Sequence, residues 1–563
     1  MIERRQRSWK TGSLALMLLA VLSLLVIWPL AMLFSDILPG NATDLGTLRE
    51  LLWDTPLQHA ILRTLAVALL AAGLASLIAI PAAFLAVRAS APIRIMVQVI
   101  GFLPLTMPPF VSAAVVQHFT GILAKTEAAA PRIENLDVQG SHLALILVFA
   151  VHYLPFVLLS LTIGLKRIDR SITGSASNLG ASRLYVWRFI TLPLATPTYV
   201  AGVSLMLLRI FEDVGTPLML GIEGMLAPQM VLRLQAGGLS DPLLNITALV
   251  LFAATVVVAT LAWSALSAPL DHTAGERPLE PMRWKPGFVR TTFGLVLLLG
   301  LGVLSLAPHL WLLLMSLGAD WTDSLIPQAV DPGGYRQILL ELLPGLTTTL
   351  AYVAGVGILT LLLGIAFALP GTDSGPFGRL SRFAVTSMFA IPGLVLALAY
   401  VHAQGLLGLQ SPGFAWLALI VVVALKQLPM AQHFIARRLS ALRAGELETA
   451  RSLGASGLRI GLKIVLPSLA GVLGVAFMLG ATAALVELSA VLLLIQDTEA
   501  PLALDLFRSL LRPDDVQTAA LQGVLLLVLT ASALLTLYWL MRRRHYRSRP
   551  VPPRKATAAR KDP

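Results

Sequence analysis

The chain has 563 residues, of which 56% are hydrophobic and only 13% are charged. Soluble domains usually carry about 25% charged residues, so a soluble multidomain enzyme is excluded. The absence of cysteine excludes disulfide frameworks, thiolate zinc sites, iron–sulfur clusters and cysteine nucleophiles. The net charge of +12 comes largely from a basic segment at 542–563. It therefore does not indicate a groove for nucleic acid.

Long uncharged stretches predict an all-α membrane protein. A spanning helix needs about 20 apolar residues, and stretches of 18 or more without Asp, Glu, Lys or Arg occur at 11–35, 64–87, 95–124, 138–165, 189–208, 242–270, 291–319, 342–372, 383–425, 464–486 and 516–541. The ninth stretch is too long for one helix, and Gln404–Gly413 divides it into a hairpin. Twelve spans are therefore predicted. The first stretch is too long for the apolar part of a signal peptide and predicts a retained anchor.

The distribution of lysine and arginine predicts the orientation. If the segments between spans alternate between the two sides, 32 of the 42 Lys and Arg residues lie on the side of the N-terminus and 8 on the other side. Cytoplasmic loops carry the excess of these residues. Both termini are therefore expected in the cytoplasm.

Two polar segments form an internal repeat. Residues 174–193 (GSASNLGASRLYVWRFITLP) and 448–467 (ETARSLGASGLRIGLKIVLP) are identical at nine positions with an offset of 274. Each lies between the fourth and fifth spans of a six-span half, so the halves insert with the same orientation and can enclose a path. The predicted units are a first half at 1–268 with its loop at 165–193, a cytoplasmic linker at 269–290, a second half at 291–541 with its loop at 437–467, and a basic cytoplasmic tail at 542–563.

The repeated loop has the composition of two short helices separated by a hinge. Glu448 and Thr449 suit a helix N-terminus, and Gly454 suits a left-handed turn. A second helix can then run to Pro467 and into the next span. Such a rigid projection could transmit force from a cytoplasmic partner. The alternative is a solvated amphipathic loop, which two copies at matched positions disfavour.

The spacing E-x-A-x-x-x-G-x9-I-x-L-P resembles the EAA coupling motif of ABC importer permeases, the inner-membrane components of binding-protein-dependent transport systems. In the first copy, glycine stands where the family has glutamate. The residues predicted for the ATPase-coupling loops are Gly174, Ala176, Gly180, Ile190, Leu192 and Pro193 in the first copy, and Glu448, Thr449, Ala450, Gly454, Ile464, Leu466 and Pro467 in the second.

The resemblance implies two tandem six-helix halves of the type I importer permease fold, working by alternating access in a bacterial inner membrane. It also implies two copies of a cytoplasmic ABC ATPase subunit and a periplasmic solute-binding protein as partners, besides membrane lipid. The chain has no G-x-x-x-x-G-K-[ST] motif, so ATP and Mg²⁺ are expected on the ATPase and not on this chain. The chain itself is expected to be a permease and not an enzyme.

The fused two-half arrangement most resembles the ferric-iron permease group, which favours ferric iron as the solute. Related fused permeases serve thiamine, aminoethylphosphonate or polyamines, and these solutes are kept as alternatives. A secondary transporter driven by an ion gradient is the alternative mechanism, although it does not account for the duplicated polar loop.

Ionisable residues interrupt two spans. Arg209, Glu212 and Asp213 lie in the fifth span, and Glu487 lies in the eleventh, where its spacing matches it to Glu212. Charges at membrane depth usually face a cavity or a partner. One interpretation is that these four residues line the translocation path or its gate. The other is a structural pair between Arg209 and Glu212 at i, i+3, with Lys426 as a possible partner of Glu487. Two carboxylates are too few to predict a metal site.

Overall fold

The computed structural model describes most of the chain, and every structural statement below refers to those residues. They are 2–35, 55–125, 140–267, 288–320, 327, 329–330, 334–373, 375–409, 411–442, 444–495, 500–512 and 516–547. The predicted linker lies outside them except for 288–290, and the predicted tail lies outside them after residue 547.

Helices account for nearly all of the described first half. They are α1 (Ile2–Leu22), α2 (Trp28–Ser35), α3 (Thr55–Arg88), α4 (Ala91–Phe102), α5 (Pro109–Lys125), α6 (His142–Arg167), α7 (Arg170–Asn178), α8 (Arg183–Val186), α9 (Leu192–Glu212), α10 (Gly215–Met219), α11 (Leu226–Gly237) and α12 (Pro242–Ser267). Two π-helical turns connect α1 with α2 (Ser23–Ile27) and α8 with α9 (Trp187–Thr191).

The second half repeats this order. Its helices are α13 (Phe288–Leu317), α14 (Gly334–Glu341), α15 (Leu343–Gly371), α16 (Pro376–Ser387), α17 (Gly393–Leu407), α18 (Pro412–Ser440), α19 (Ala444–Ser452), α20 (Gly457–Ile460), α21 (Leu466–Val486), α22 (Ser489–Leu494), α23 (Leu502–Leu510) and α24 (Val516–Arg547). A π-helical turn, Gly461–Val465, joins α20 to α21. A short antiparallel pair, β1 (Gly318–Asp320) and β2 (Ala329–Val330), follows α13.

The predicted all-α membrane fold is confirmed. The described residues contain ten straight helices long and apolar enough to cross a bilayer, and twelve spans if two bent helix pairs are each counted as one. The bends are 89° at the junction of α4 and α5 and 95° at the junction of α16 and α17. Pro108 and Pro392 lie at these junctions, where the proline ring disfavours a continuous helix. The sequence contains prolines near these spans, but it did not predict bends of this size.

Small residues bring the spans of each half into close contact. One face of α3 is a ladder of buried alanines, including Ala71, Ala75 and Ala79, which packs on α6. At the crossing of α15 with α21, a β-carbon on Gly480 would lie 2.5 Å from Oγ1 of Thr360 and 2.9 Å from the backbone oxygen of Val356. In lipid there is little hydrophobic drive between helices, so such close contact supplies the packing energy.

The first span of each sequence half packs on the other half. The helices α1 and α2 contact α15, α16 and α17, whereas α13 contacts α3, α4 and α5 besides α24. Hydrogen bonds support both exchanges: Tyr400 donates its hydroxyl to the backbone oxygen of Leu25 (2.8 Å), and Thr106 Oγ1 lies 2.9 Å from His309 Nε2. The two sequence halves are thus interlocked in space.

Short helices occupy two segments that the sequence predicted only as outer loops, 220–244 and 496–518. The helix α11 lies in the first and α23 in the second. A threonine fixes the N-terminus of each helix: Thr64 accepts a hydrogen bond from the backbone nitrogen of Leu226 (3.0 Å), and Thr349 accepts one from Leu502 (2.8 Å). Each helix packs mainly within its own half, α11 on α12 and α23 on α24.

We expect Gly480→Ala to destabilise the protein, because the added methyl group meets the backbone of α15. Overpacking of this kind costs about 1–3 kcal/mol. The matched control is Gly73→Ala in α3, where no atom lies within 4 Å of the new β-carbon. Thermal unfolding of the purified protein in detergent should show a lower midpoint for the first variant only. Equal midpoints would contradict the close crossing.

Candidate functional site

A polar cavity of about 250 Å³ lies between the two halves. Its charged lining residues are Arg209, Glu212, Asp213, Lys426 and Glu487. The structure therefore brings together all four residues that the sequence predicted for a path or gate. None of the described residues forms a group of three or more histidine or carboxylate side chains placed to hold a metal ion.

Asp213 is a buried carboxylate whose oxygens are well supplied with donors. Its Oδ1 accepts from the backbone nitrogen of Thr216 (2.9 Å), and its Oδ2 accepts from the hydroxyls of Thr216 (2.8 Å) and Tyr153 (3.0 Å). Hydrogen bonds to the charged form compensate for the loss of hydration. This arrangement ties the end of α9 to α10 and to α6.

The structural counterpart of Glu487 is Asp213, so the predicted match of Glu487 with Glu212 is wrong. Asp213 follows the last residue of α9, and Glu487 follows the last residue of α21. Oε1 of Glu487 accepts from the backbone nitrogen of Ala490 (3.1 Å), as Asp213 accepts from Thr216. In both halves the carboxylate accepts from the residue three positions later, so the offset is 274, the same as in the repeated loop.

Glu212 forms an ion pair with Lys426 of the other half, and both side chains are only 12% exposed. The predicted pairing of Glu212 with Arg209 is wrong, because no such ion pair occurs among the described residues. Lys426 is likewise not the partner of Glu487. Arg209, one turn before Glu212, is exposed and lines the cavity.

Two further contacts join the halves beside this pair. Ser489 donates its hydroxyl to the backbone oxygen of Glu212 (2.7 Å) and accepts from the backbone nitrogen of Val214 (3.4 Å). A β-carbon on Gly215 would lie 2.4 Å from a methyl group of Leu488, so the chains approach closely here. The ion pair and these contacts form a cross-half junction at one end of the cavity.

The two repeated loops have the same backbone geometry. Gly180 has φ +87° and Gly454 has φ +78°, in the left-handed region that favours glycine. The backbone nitrogen of Ala181 bonds to the oxygen of Ala176, and that of Ala455 bonds to Ala450, each at 3.0 Å. This is the Schellman pattern that ends a helix at a glycine. It explains why glycine recurs at this position.

A serine begins the helix after each glycine. Ser182 accepts from the backbone nitrogen of Tyr185 (3.2 Å), and Ser456 accepts from that of Arg459 (3.3 Å). These short helices continue through the π-helical turns into α9 and α21, where Pro193 and Pro467 lie in the first turn. Ile190 and Ile464 lie in the turns, and Leu192 and Leu466 begin the spans.

The N-terminal position predicted for Glu448 and Thr449 is wrong. The helix α19 begins at Ala444, so both residues lie in its middle and are exposed. Gly174, which replaces the glutamate in the first copy, lies at the corresponding place in α7 and has open space around it.

Four exposed leucines in the loops were not predicted as functional residues. Leu179 and Leu453, just before the hinge glycines, are 89% and 82% exposed, and Leu184 and Leu458 are 70% and 75% exposed. Each pair keeps the offset of 274. The identity of leucine in both copies of a polar segment was the signal that could have identified them.

Taken together, these features define a multi-span membrane protein made of two repeated halves around a polar cavity, with two projecting loops on one face. A family model for the inner membrane component of binding-protein-dependent transport systems matches twice, at residues 75–271 and 360–546. The chain belongs to this family of ABC importer permeases, and the two matches confirm the duplicated architecture.

Curated relatives support the same family. The chain is 27% identical over 218 residues to a probable molybdenum ABC transporter permease protein of Haloferax volcanii, covering 38% of this chain and 74% of that protein. It is 31% identical over 226 residues to a putative 2-aminoethylphosphonate transport system permease protein of Salmonella typhimurium, covering 38% and 77%. It is 30% identical over 101 residues to an inner membrane ABC transporter permease protein of Escherichia coli, covering 18% and 32%.

We expect Lys426→Gln to destabilise the protein by about 3–5 kcal/mol, because it leaves the buried carboxylate of Glu212 without its cation. The exchange Lys426→Glu with Glu212→Lys should recover part of the loss. The control is Arg183→Gln, which removes an exposed cation and should change the stability by no more than about 0.5 kcal/mol. Thermal or denaturant unfolding measures all three. A Lys426→Gln variant as stable as the control would contradict the buried pair.

Proposed function

We propose that this chain forms the translocation path of an ATP-driven, binding-protein-dependent importer. The cavity between the halves is the path, and the cross-half junction at Glu212 and Lys426 is its gate. The observation that carries the proposal is the charged cavity, because a charged lining shared by two halves is costly in a membrane protein unless a polar solute uses it.

The two repeated loops are proposed as the docking sites of two copies of a cytoplasmic ABC ATPase. Each loop presents exposed leucines beside a rigid, glycine-closed helix end. Exposed apolar side chains on a polar segment typically mark an interface. Two loops of equal geometry suit two copies of one partner. In this arrangement ATP and Mg²⁺ bind to the partner, both termini are cytoplasmic, and the periplasmic binding protein delivers solute to the opposite face.

A continuous helical rod connects each loop to the cavity. Arg183–Glu212 in the first half and Gly457–Val486 in the second are each 30 residues long, which corresponds to roughly 45 Å at about 1.5 Å per residue. Each rod begins three residues after the hinge glycine and ends one residue before the matched carboxylate, Asp213 or Glu487. When ATP binding draws the two motors together, the rods tilt, the cross-half junction separates and the path opens outward. Hydrolysis then resets it.

The solute proposed is a small molecule with an anionic group, of the class of aminoethylphosphonate. The relative named for 2-aminoethylphosphonate transport supports a solute with a phosphonate group, and the exposed guanidinium of Arg209 in the cavity suits such an anion. Glu487 retains one carboxylate oxygen that could meet an ammonium group. Ferric iron, favoured by the sequence, is the second candidate because carboxylates line the cavity. However, Glu212 and Asp213 already have partners in the protein.

The coupling role predicts that Gly454→Val abolishes transport, since a β-branched residue is strained at a positive φ. Glu448→Ala should weaken the association of the second loop with the ATPase. The first loop has Gly174 at this position, so no equivalent side chain can be removed there. Co-purification of the ATPase and ATP-dependent uptake are the measurements. Gly73→Ala serves as the control. Unimpaired transport in Gly454→Val and in the equivalent Gly180→Val would refute the coupling role.

The path and its solute are tested in vesicles containing the permease, its ATPase and its binding protein. We expect ATP-dependent uptake of aminoethylphosphonate, and a fall of about tenfold for Arg209→Gln, equivalent to about 1.4 kcal/mol of lost interaction. Thr482→Ala, an uncharged change in the same cavity, is the control. Uptake of iron that is lost in Glu487→Gln but kept in Arg209→Gln would favour the second candidate. Uptake without any ATPase would favour the secondary transporter.

A further inference from the structure

A second pocket, of about 450 Å³, opens at the end of the second half nearest its repeated loop. It lies where α15 ends, α16 passes and α18 ends. Its lining residues are Gly371, Arg382, Gln432, His433, Ala436, Arg437, Ser440 and Ala441. Since α19 begins at Ala444, only three residues after Ala441, the pocket adjoins the base of the loop.

The lining is cationic. Arg382 and Arg437 carry fixed positive charges, His433 adds a polar imidazole ring, and none of the described lining residues is a carboxylate. His433 and Arg437 are exposed and project from the same face of α18, four residues apart. Several donors around one opening without any acid favour an anionic ligand, because guanidinium groups recognise phosphate oxygens through paired hydrogen bonds.

Gln432 supplies an independent indication of a ligand. Its side chain is only 6% exposed, and its Nε2 has no hydrogen-bond partner in the described part of the chain. A buried amide donor without a partner is costly, and such groups usually meet an acceptor. Gly371 makes room for it, since a β-carbon there would lie 2.4 Å from Nε2. An oxygen of a bound anion would satisfy this donor.

The first half has apolar residues at three of these positions, although Thr162, Lys166 and Arg167 stand where Ala436, Ser440 and Ala441 do. At the offset of 274, the counterparts of Gln432, His433 and Arg437 are Leu158, Leu159 and Ile163. The helices α4 and α16 have equal length, and when they are aligned end to end Arg94 corresponds to Arg379. In this alignment the counterpart of Arg382 is Val97.

The packing of the first half supports this comparison. Leu158 fills its junction so closely that a β-carbon on Gly101 would lie 2.5 Å from its methyl group. The packing of the fold therefore does not require polar residues at the positions of Gln432, His433 and Arg437, and their presence in the second half calls for another explanation.

Helix capping explains only some of the polar residues that line the pocket. Arg382 donates from one nitrogen to the backbone oxygens of Gly371 and Asp373, both at 2.7 Å, and so stabilises the C-terminal end of α15. Arg437 lies in the last turn of α18, where a cation is favourable. Neither effect accounts for the buried amide of Gln432 or for His433 in place of leucine.

We infer that this pocket binds a phosphate group, carried either by an anionic lipid headgroup or by a free phosphate. Gln432, His433 and Arg437 contact the anion, and the remaining nitrogens of Arg382 face it from α16. Because Ser440 and Ala441 also line the pocket, occupancy holds the end of α18 from which the second loop projects. Gln432, His433 and Arg437 have polar side chains in the second half only, so the proposed site acts on the second loop. The inference concerns binding alone and does not depend on the identity of the transported solute.

The test uses the full-length protein and two probes. Inorganic phosphate is titrated calorimetrically into the protein in nanodiscs of phosphatidylcholine. In parallel, nanodiscs with added phosphatidylglycerol are analysed by native mass spectrometry for retained lipid. The variant Gln432→Leu/His433→Leu/Arg437→Ile introduces the residues of the first half. The control, Arg167→Leu, removes an exposed arginine from the matching helix end of the first half.

We expect the triple variant to lose at least tenfold in affinity for one probe, and the control to stay within twofold of the unmodified protein. A loss of affinity for inorganic phosphate identifies a free phosphate site. A loss of affinity confined to phosphatidylglycerol identifies a lipid headgroup site. Arg437→Gln alone should give a smaller loss, which keeps the test valid if the triple variant does not fold. Equal binding by all variants, or no binding of either probe by the unmodified protein, would overturn the inference.

Discussion

Charges buried in a membrane protein need partners inside the protein, and the ion pair between Glu212 and Lys426 meets that need across the two halves. Glu212 ends the fifth span of one half, and Lys426 lies in the tenth span, which belongs to the other. Since hydrocarbon provides no substitute for either partner, the pair fixes the distance between the halves. The serine bridge from Ser489 and the remaining cavity charges are arranged around it.

Duplication explains the backbone of the site, and divergence explains its chemistry. Both halves end a span at a carboxylate that accepts from a backbone nitrogen three residues later. Lys426 and Gln427, however, stand where the first half has His152 and Tyr153. Only one half therefore supplies the lysine, and the other supplies the carboxylate that it binds. The proposed phosphate pocket at the end of α18 follows the same rule, since Gln432, His433 and Arg437 replace apolar residues of the first half.

One continuous helix joins the loop to the cavity in each half. The left-handed glycine ends the loop helix sharply, and the serine after it starts a helix that runs to the cavity. In the proposed mechanism, a displacement of the loop is carried along this helix. Glu212 and Asp213, the proposed gate residues, lie at one end of it in the first half, and the proposed ATPase contacts lie at the other.

Much of this organisation could be predicted from the sequence. The apolar stretches predicted the spans, because the length of a membrane helix is set by the thickness of the bilayer. The repeat predicted two loops of one geometry, because glycine at a positive φ and the serine that follows it are local requirements. The sequence also identified Arg209, Glu212, Asp213 and Glu487 as candidate site residues, because charged residues are easily recognised in apolar segments.

The sequence by itself determined the class of protein, the spans and the duplicated loops, all of which depend on composition and local geometry. Only the tertiary structure decided the exchange of the first spans, the 89° and 95° bends and the pairing of Glu212 with Lys426. The reason is physical. Spans associate in lipid through close packing and hydrogen bonds between particular side chains, and these contacts join residues hundreds of positions apart, beyond the reach of hydropathy or periodicity.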